Sequence, residues 1–199
     1  MEAEYQLVLL YGKAGRADRQ MHWQQQLVTA DRSAGRQRSD RTRYLAAHAQ
    51  LALAEPDYRT YRQVQLTEPL KKNLARKKKY LQAAIDGYKA AASYEVAEVT
   101  TESAYRIGEI YSDFGRALMA SERPRNLNAE ELEQYNILLE EQAYPFEEKA
   151  IAVHETNAQR IGAGIYDAWV RQSMDRLAEL LPVRYAKPEE GESFVAVLE

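Results

Sequence analysis

Two short stretches decide the reading of this chain: Ala84-Ile-Asp-Gly-Tyr88-Lys-Ala-Ala91 and, one helix later, Ile107-Gly-Glu-Ile-Tyr111. In each, small and aromatic residues recur at three- and four-residue spacing, so they share one helix face. Small residues let two helices approach closely while an aromatic from each fills the remaining space. Stacked helical hairpins bury their faces in this way, without one large central core.

The helical period extends in both directions. Upstream it predicts helices near 3–13 and 16–31, the second burying Met21, Trp23, Leu27 and Val28 and stopping before Ser33-Ala-Gly35. A helix capped by Ser39-Asp40 carries Tyr44, Leu45, Ala47, His48, Leu51 and Leu53 and is expected to end at Pro56, with a shorter helix over 57–66 after it. Pro69 opens a long helix over 69–95. Thr100 or Thr101 caps the next, which runs to Ser121 through Tyr105, Ile110, Phe114 and Leu118. Asn128 with Glu131 three residues on reads as a capping box opening a helix over 129–141. Another starts near Pro145, and a last one spans 165–181 until Pro182 closes it.

Composition agrees. Among 199 residues there are nine glycines and six prolines, and Ala, Leu, Gln, Glu, Arg and Lys fill long stretches without the alternation a strand needs. The expectation is an all-α fold: antiparallel helical hairpins stacked as an α-solenoid with unusually long helices, one domain over 1–181 and an extended acidic tail over 182–199. Within that tail, Phe194-Val-Ala-Val197 is an apolar run able to dock. Cysteine is absent, which removes disulfides, thiolate zinc sites and cysteine nucleophiles and suits the cytosol and the periplasm equally. No apolar run approaches the roughly 20 residues that span a bilayer. The abrupt helical start suggests a piece of a longer protein.

The net charge of −3 conceals a split. Residues 1–99 hold 17 Lys and Arg against 11 Asp and Glu, whereas residues 100–199 hold 10 against 19. Such asymmetry offers two surfaces to different partners or orients a molecule in an assembly.

The cadence Ala84/Tyr88/Ala91 followed by Ile107-Gly108 and Tyr111 resembles the tetratricopeptide repeat, over about a quarter of the chain. The resemblance implies a non-catalytic protein-binding scaffold without cofactor. It also implies that the groove-facing side of the helix around Gly108 presents Glu102, Tyr105, Glu109, Ser112 and Asp113, an acidic, tyrosine-bearing surface suited to a basic or proline-rich segment. A second block is similar to the C-terminal portion of bacterial envelope proteins with such repeats: Leu118-Met-x-Ser121-Glu-Arg-Pro124, Leu138 through Ile151, His154-Glu-x-Asn157 and Tyr166-Asp-x-Trp169-Val. These accompany proton-driven transducers of the TonB/ExbB/ExbD or gliding-motility type. That resemblance implies a periplasmic structural role among envelope transport or motility components, with self-association left open and the cytoplasm as the alternative.

Other chemistries fare less well. His22, His48 and His154 fall on separate helices, and His154-Glu155 with Asn157 supplies too few donors for zinc, so packing or hydrogen bonding explains them better. The Glu-rich stretch over 130–148 resembles a carboxylate-metal bundle in composition, yet no Glu-x-x-His occurs. The cluster Lys71, Lys72, Arg76, Lys77, Lys78 and Lys79 is the alternative site, for nucleic acid or another anionic surface. Few stacking aromatics accompany it and the chain is acidic overall, so nucleic acid is the weaker reading and an acidic protein partner at Lys77, Lys78 and Lys79 the stronger.

Overall fold

The computed structural model describes residues 1–186, and all regular structure among them is helical. The helices are α1 (Glu2–Lys13), α2 (Ala17–Ser33), α3 (Asp40–Gln63), α4 (Leu70–Ala92), α5 (Ala97–Met119), α6 (Ala129–Ala158), α7 (Ala168–Leu180) and the single turn α8 (Pro182–Tyr185). Short 3₁₀ turns occupy Gly35–Gln37 and Gln159–Ala163. The expectation for Phe194–Val197, like the rest of 187–199, lies outside the described residues.

Capping chemistry sets several starts where the sequence places them. Ser39 and Thr42 exchange side-chain and backbone hydrogen bonds as a capping box for α3, and Asn128 with Glu131 does the same for α6. The connection before α3 is anchored by Asp31, whose buried carboxylate accepts from Arg38 Nε at 2.9 Å and from the Thr42 hydroxyl at 3.0 Å.

Four expected boundaries move. α3 runs straight through Pro56, so the expected stop and the separate helix over 57–66 are one 24-residue helix. Proline in a helix interior costs on the order of 3 kcal/mol. Here Ala54, Tyr58 and Tyr61, on both sides of it, occupy one buried stripe whose packing offsets that cost. Pro145 behaves likewise: Ala143, Phe146 and Ala150 hold one face inward, and the expected break gives way to the 30-residue α6. α5 begins a turn earlier than Thr100, after Val96, because Val99 and Thr101 are drawn into the interior. α7 begins after Asp167 rather than at 165, since the Asp167 carboxylate accepts from the Trp169 and Val170 amides at 3.0 and 2.9 Å. Pro182 ends α7 as expected but opens α8, so 182–185 is helical rather than extended.

Consecutive helices pack on one another from α1 to α8, and α3, α5 and α7 also touch in alternation. Residue pairings give the directions. Ala54 faces Gly87 while Lys77 reaches Tyr61, so α3 and α4 are antiparallel. Gly108 meets His154 and Phe114 meets Phe146, so α5 and α6 are antiparallel too. Tyr61 donates to the Ile110 carbonyl and Tyr58 lies by Arg106, whereas Thr101 pairs with Asp167 and Glu109 with Arg176; α5 therefore runs parallel to both α3 and α7.

The main core lies where α3, α4, α5 and α6 meet, around Tyr61, Ile85, Tyr88, Ile110 and Phe114. The stripe that opened the reading points inward: Ala84 and Tyr88 lie in this core and Ala91 in an adjoining cluster with Ala46, Ala47 and Val99, each of the three at most 1% exposed. A smaller cluster of Val8, Leu27, Val28, Leu45 and Ala49 joins α1 and α2 to α3. Gly108 has a specific task. A Cβ there would stand 2.5 Å from His154 Nε2, so only glycine lets the buried imidazole lie against the α5 backbone.

Candidate interaction faces

The side shared by α3, α5 and α7 holds the residues the repeat resemblance singles out. Tyr105 stacks with Trp169 at 5.4 Å and sits beside His154 at 5.7 Å. Arg106 bridges the three helices, its guanidinium 4.9 Å from the Trp169 ring and 5.8 Å from Tyr58. Glu102 pairs with Arg106 at 3.2 Å, Glu109 with Arg176 at 2.7 Å, and Asp113 with Arg116. Ser112 is buried, 3.4 Å from the Arg176 guanidinium. The five residues do lie along one helix face, but α7 leans on Tyr105, Glu109 and Ser112. Each of the three acids is answered by an arginine, so the strip is aromatic and mixed in charge rather than acidic.

Beneath it runs a polar seam between α5, α6 and α7. Asn157 donates to the Thr101 carbonyl at 3.1 Å and to Ser173 Oγ at 2.9 Å, and His154 Nδ1 lies 3.3 Å from that same oxygen. The Thr101 hydroxyl donates to Asp167 at 2.5 Å. His154, Asn157, Ser173 and Thr101 are all fully buried. Burial, with the positive Arg176 nearby, lowers the His154 pKa to about 4, so the imidazole is neutral at ordinary pH. Ser173 lies by Nδ1 of His154 and Glu109 by its Nε2, at 3.3 and 3.7 Å, with the serine fully buried. Glu155 turns away toward Arg184 and Tyr185, so it does not converge with His154 and Asn157. No group of three or more potential metal donors gathers among the described residues.

The basic cluster divides. Lys71, Lys72, Arg76, Lys78 and Lys79 are exposed, whereas Lys77 is only 5% exposed. Its ammonium donates to the Tyr61 and Val64 carbonyls at 3.1 and 2.9 Å and lies 4.2 Å from the Tyr61 ring. It donates to carbonyls at the end of α3, of which Tyr61 also accepts from the Val64 amide, and burial lowers its pKa. Lys77 therefore leaves the surface patch to which the sequence assigned it. Helical phase carried the signal: Lys77 precedes Leu81, Ala84 and Tyr88 at positions on their own stripe.

A cleft unforeseen in the sequence, about 350 Å³ in volume, lies on the other side of α5, between α4 and α6. Ala104, Ile107 and Tyr111 belong to its lining, with Lys89, Lys149 and Arg160 among the residues around it. No helix among the described residues is long and apolar enough to cross a membrane. Comparison with family models, curated proteins and solved structures finds no match.

Proposed function

We propose that this chain is a non-catalytic scaffold of the tetratricopeptide-like, solenoidal kind, which holds a segment of a protein partner along the shared face of α3, α5 and α7. The observation that carries the reading is the half-buried run Tyr105, Trp169 and Arg106, which lies over the buried Tyr58 and so spans three helices in one strip. Aromatic rings alternating with a guanidinium offer rigid contact area and a polar handle at low entropic cost. Because Glu102, Glu109 and Asp113 already have arginine partners, a proline-rich segment gains more here than a purely basic one. The resemblance to envelope repeat proteins supports, as part of this reading, a periplasmic scaffold next to transport or motility components.

Affinity capture from a native envelope extract, with the full chain as bait and mass-spectrometric identification, tests this. Partners retained by the parent and by a Lys78→Glu/Lys79→Glu variant, but lost with Trp169→Leu, support the strip. Recovery of nuclease-sensitive material that the lysine variant loses would move the function to the basic cluster.

A further inference from the structure

The cleft behind α5 carries an inference independent of the strip on the opposite face. α4 and α6 wall it, and its floor is the apolar row Ala104, Ile107 and Tyr111. Its volume of about 350 Å³ lies within the range of formed ligand sites. Three cations stand around that floor without a carboxylate within ion-pair distance among the described residues: Lys89, Lys149 and Arg160. Lys149 instead lies 5.3 Å from the Phe146 ring, and Arg160 Nε is shielded from solvent with no hydrogen-bond partner. A nitrogen in that position lowers the energy of the folded chain only once an acceptor reaches it. No acid among the described residues belongs to the lining; Asp86 of α4, near enough to Tyr111 to add to burial in raising its pKa, accepts instead from Gln82 at 2.9 Å. The site calls for an occupant with carboxylates on its rim side and apolar side chains beneath.

We propose that a segment of this same chain, Glu189-Glu-Gly-Glu-Ser-Phe-Val-Ala-Val-Leu198, is that occupant. Three glutamates precede an apolar run of five, the order that meets a cationic rim and an apolar floor. The path is short. Arg184 and Tyr185 are both fastened to Glu155 near the end of α6, at 2.7 and 2.9 Å, and Arg160 follows five residues on, in the 3₁₀ turn that continues the helix. Half-way around a helix is roughly 16 Å. The eight Cα-to-Cα steps from Ala186 to Phe194 can reach about 26 Å, enough to pass around α6 and enter the cleft from its C-terminal end.

Because the chain has no cysteine, one nitroxide on Ala196→Cys in the full 199-residue protein reports where this segment rests. Paramagnetic broadening should erase the methyl signals of Ala104, Ile107 and Val153 and spare those of Val8 and Leu27 across the molecule. Adding Lys149→Glu and Arg160→Glu to the labelled chain should restore the erased signals, with circular dichroism confirming an intact fold. Unbroadened cleft methyls in the parent, or broadening indifferent to the charge reversal, would overturn the proposal. So would broadening that arises only between spin-labelled chains and separately isotope-labelled ones, which would assign the cleft to a second copy.

Discussion

Lys77 and His154 are two polar residues buried in different settings, one donating to the carbonyls at the end of a helix and the other held neutral beside the Ser173 hydroxyl. Lys77→Met keeps the apolar stem and removes the ammonium, leaving the Tyr61 and Val64 carbonyls without it. The expected loss is about 1–3 kcal/mol in urea denaturation, whereas Lys78→Ala and Lys79→Ala should each stay within about 0.5 kcal/mol of the parent. For His154 the folded pKa of about 4 lies below the ordinary 6.5, so the unfolded chain takes up the proton first as pH falls. Its contribution is therefore complete above pH 6.5 and drains away toward pH 4, on the order of 3 kcal/mol in all. Between about pH 6.5 and 5 most carboxylates still hold their charge. The fall of stability with pH in that interval should be much shallower in His154→Gln than in the parent. The groups facing the ring are Glu109, Arg176 and the Tyr105 ring. Neither residue's setting is evident from the local sequence: Lys77 looks like its neighbours in a basic run until helical phase is counted, and His154 acquires its surroundings only when α7 folds back.

Among the elements, periodicity and caps were the legible part. Ser39 and Asn128 mark their helices because a capping box is a contact between residues three apart. Pro56 and Pro145 misled, because the decision to continue through a proline rests on side chains from other helices, which no local window contains. The start of α7 depends on a single carboxylate: Asp167 holds two amides of its own helix and the Thr101 hydroxyl of α5. Asp167→Ala should cost about 1–2 kcal/mol. In hydrogen exchange the α7 amides should lose protection first while those at the centre of α4 and α5 keep theirs. The aromatic ladder across α3, α5 and α7 was half visible, through Tyr105; Arg106 and Trp169 join it only through the parallel packing of alternate helices.

At the scale of the whole molecule, α5 is the element on which the others converge, since α3, α4, α6 and α7 all rest on it. Phe114, fully buried in its middle, belongs to the core these helices share. Phe114→Ala should therefore cost about 3–5 kcal/mol and shift the entire thermal transition. Val8→Ala, in the separate cluster between α1, α2 and α3, should instead loosen the N-terminal pair by about 1–2 kcal/mol and leave the protection of α5 unchanged. The charge split between the halves does not keep them apart, for His48 of α3 meets Glu98 of α5 at 2.7 Å and the Glu68 amide donates to Glu122 at 2.8 Å.

The bare backbone at Gly87 against Ala54 and at Gly108 against His154 has a consequence for how such a chain can change in length. One residue added within α5 before Gly108 turns everything upstream by about 100° relative to that contact, swinging Thr101 away from Asp167 and Val99 out of the interior. Insertions and deletions are thereby confined to the joints at 14–16, 34–39, 64–69, 93–96, 120–128 and 159–167, and a library of single-residue insertions should yield folded protein at those joints and almost nowhere inside α4, α5 or α6.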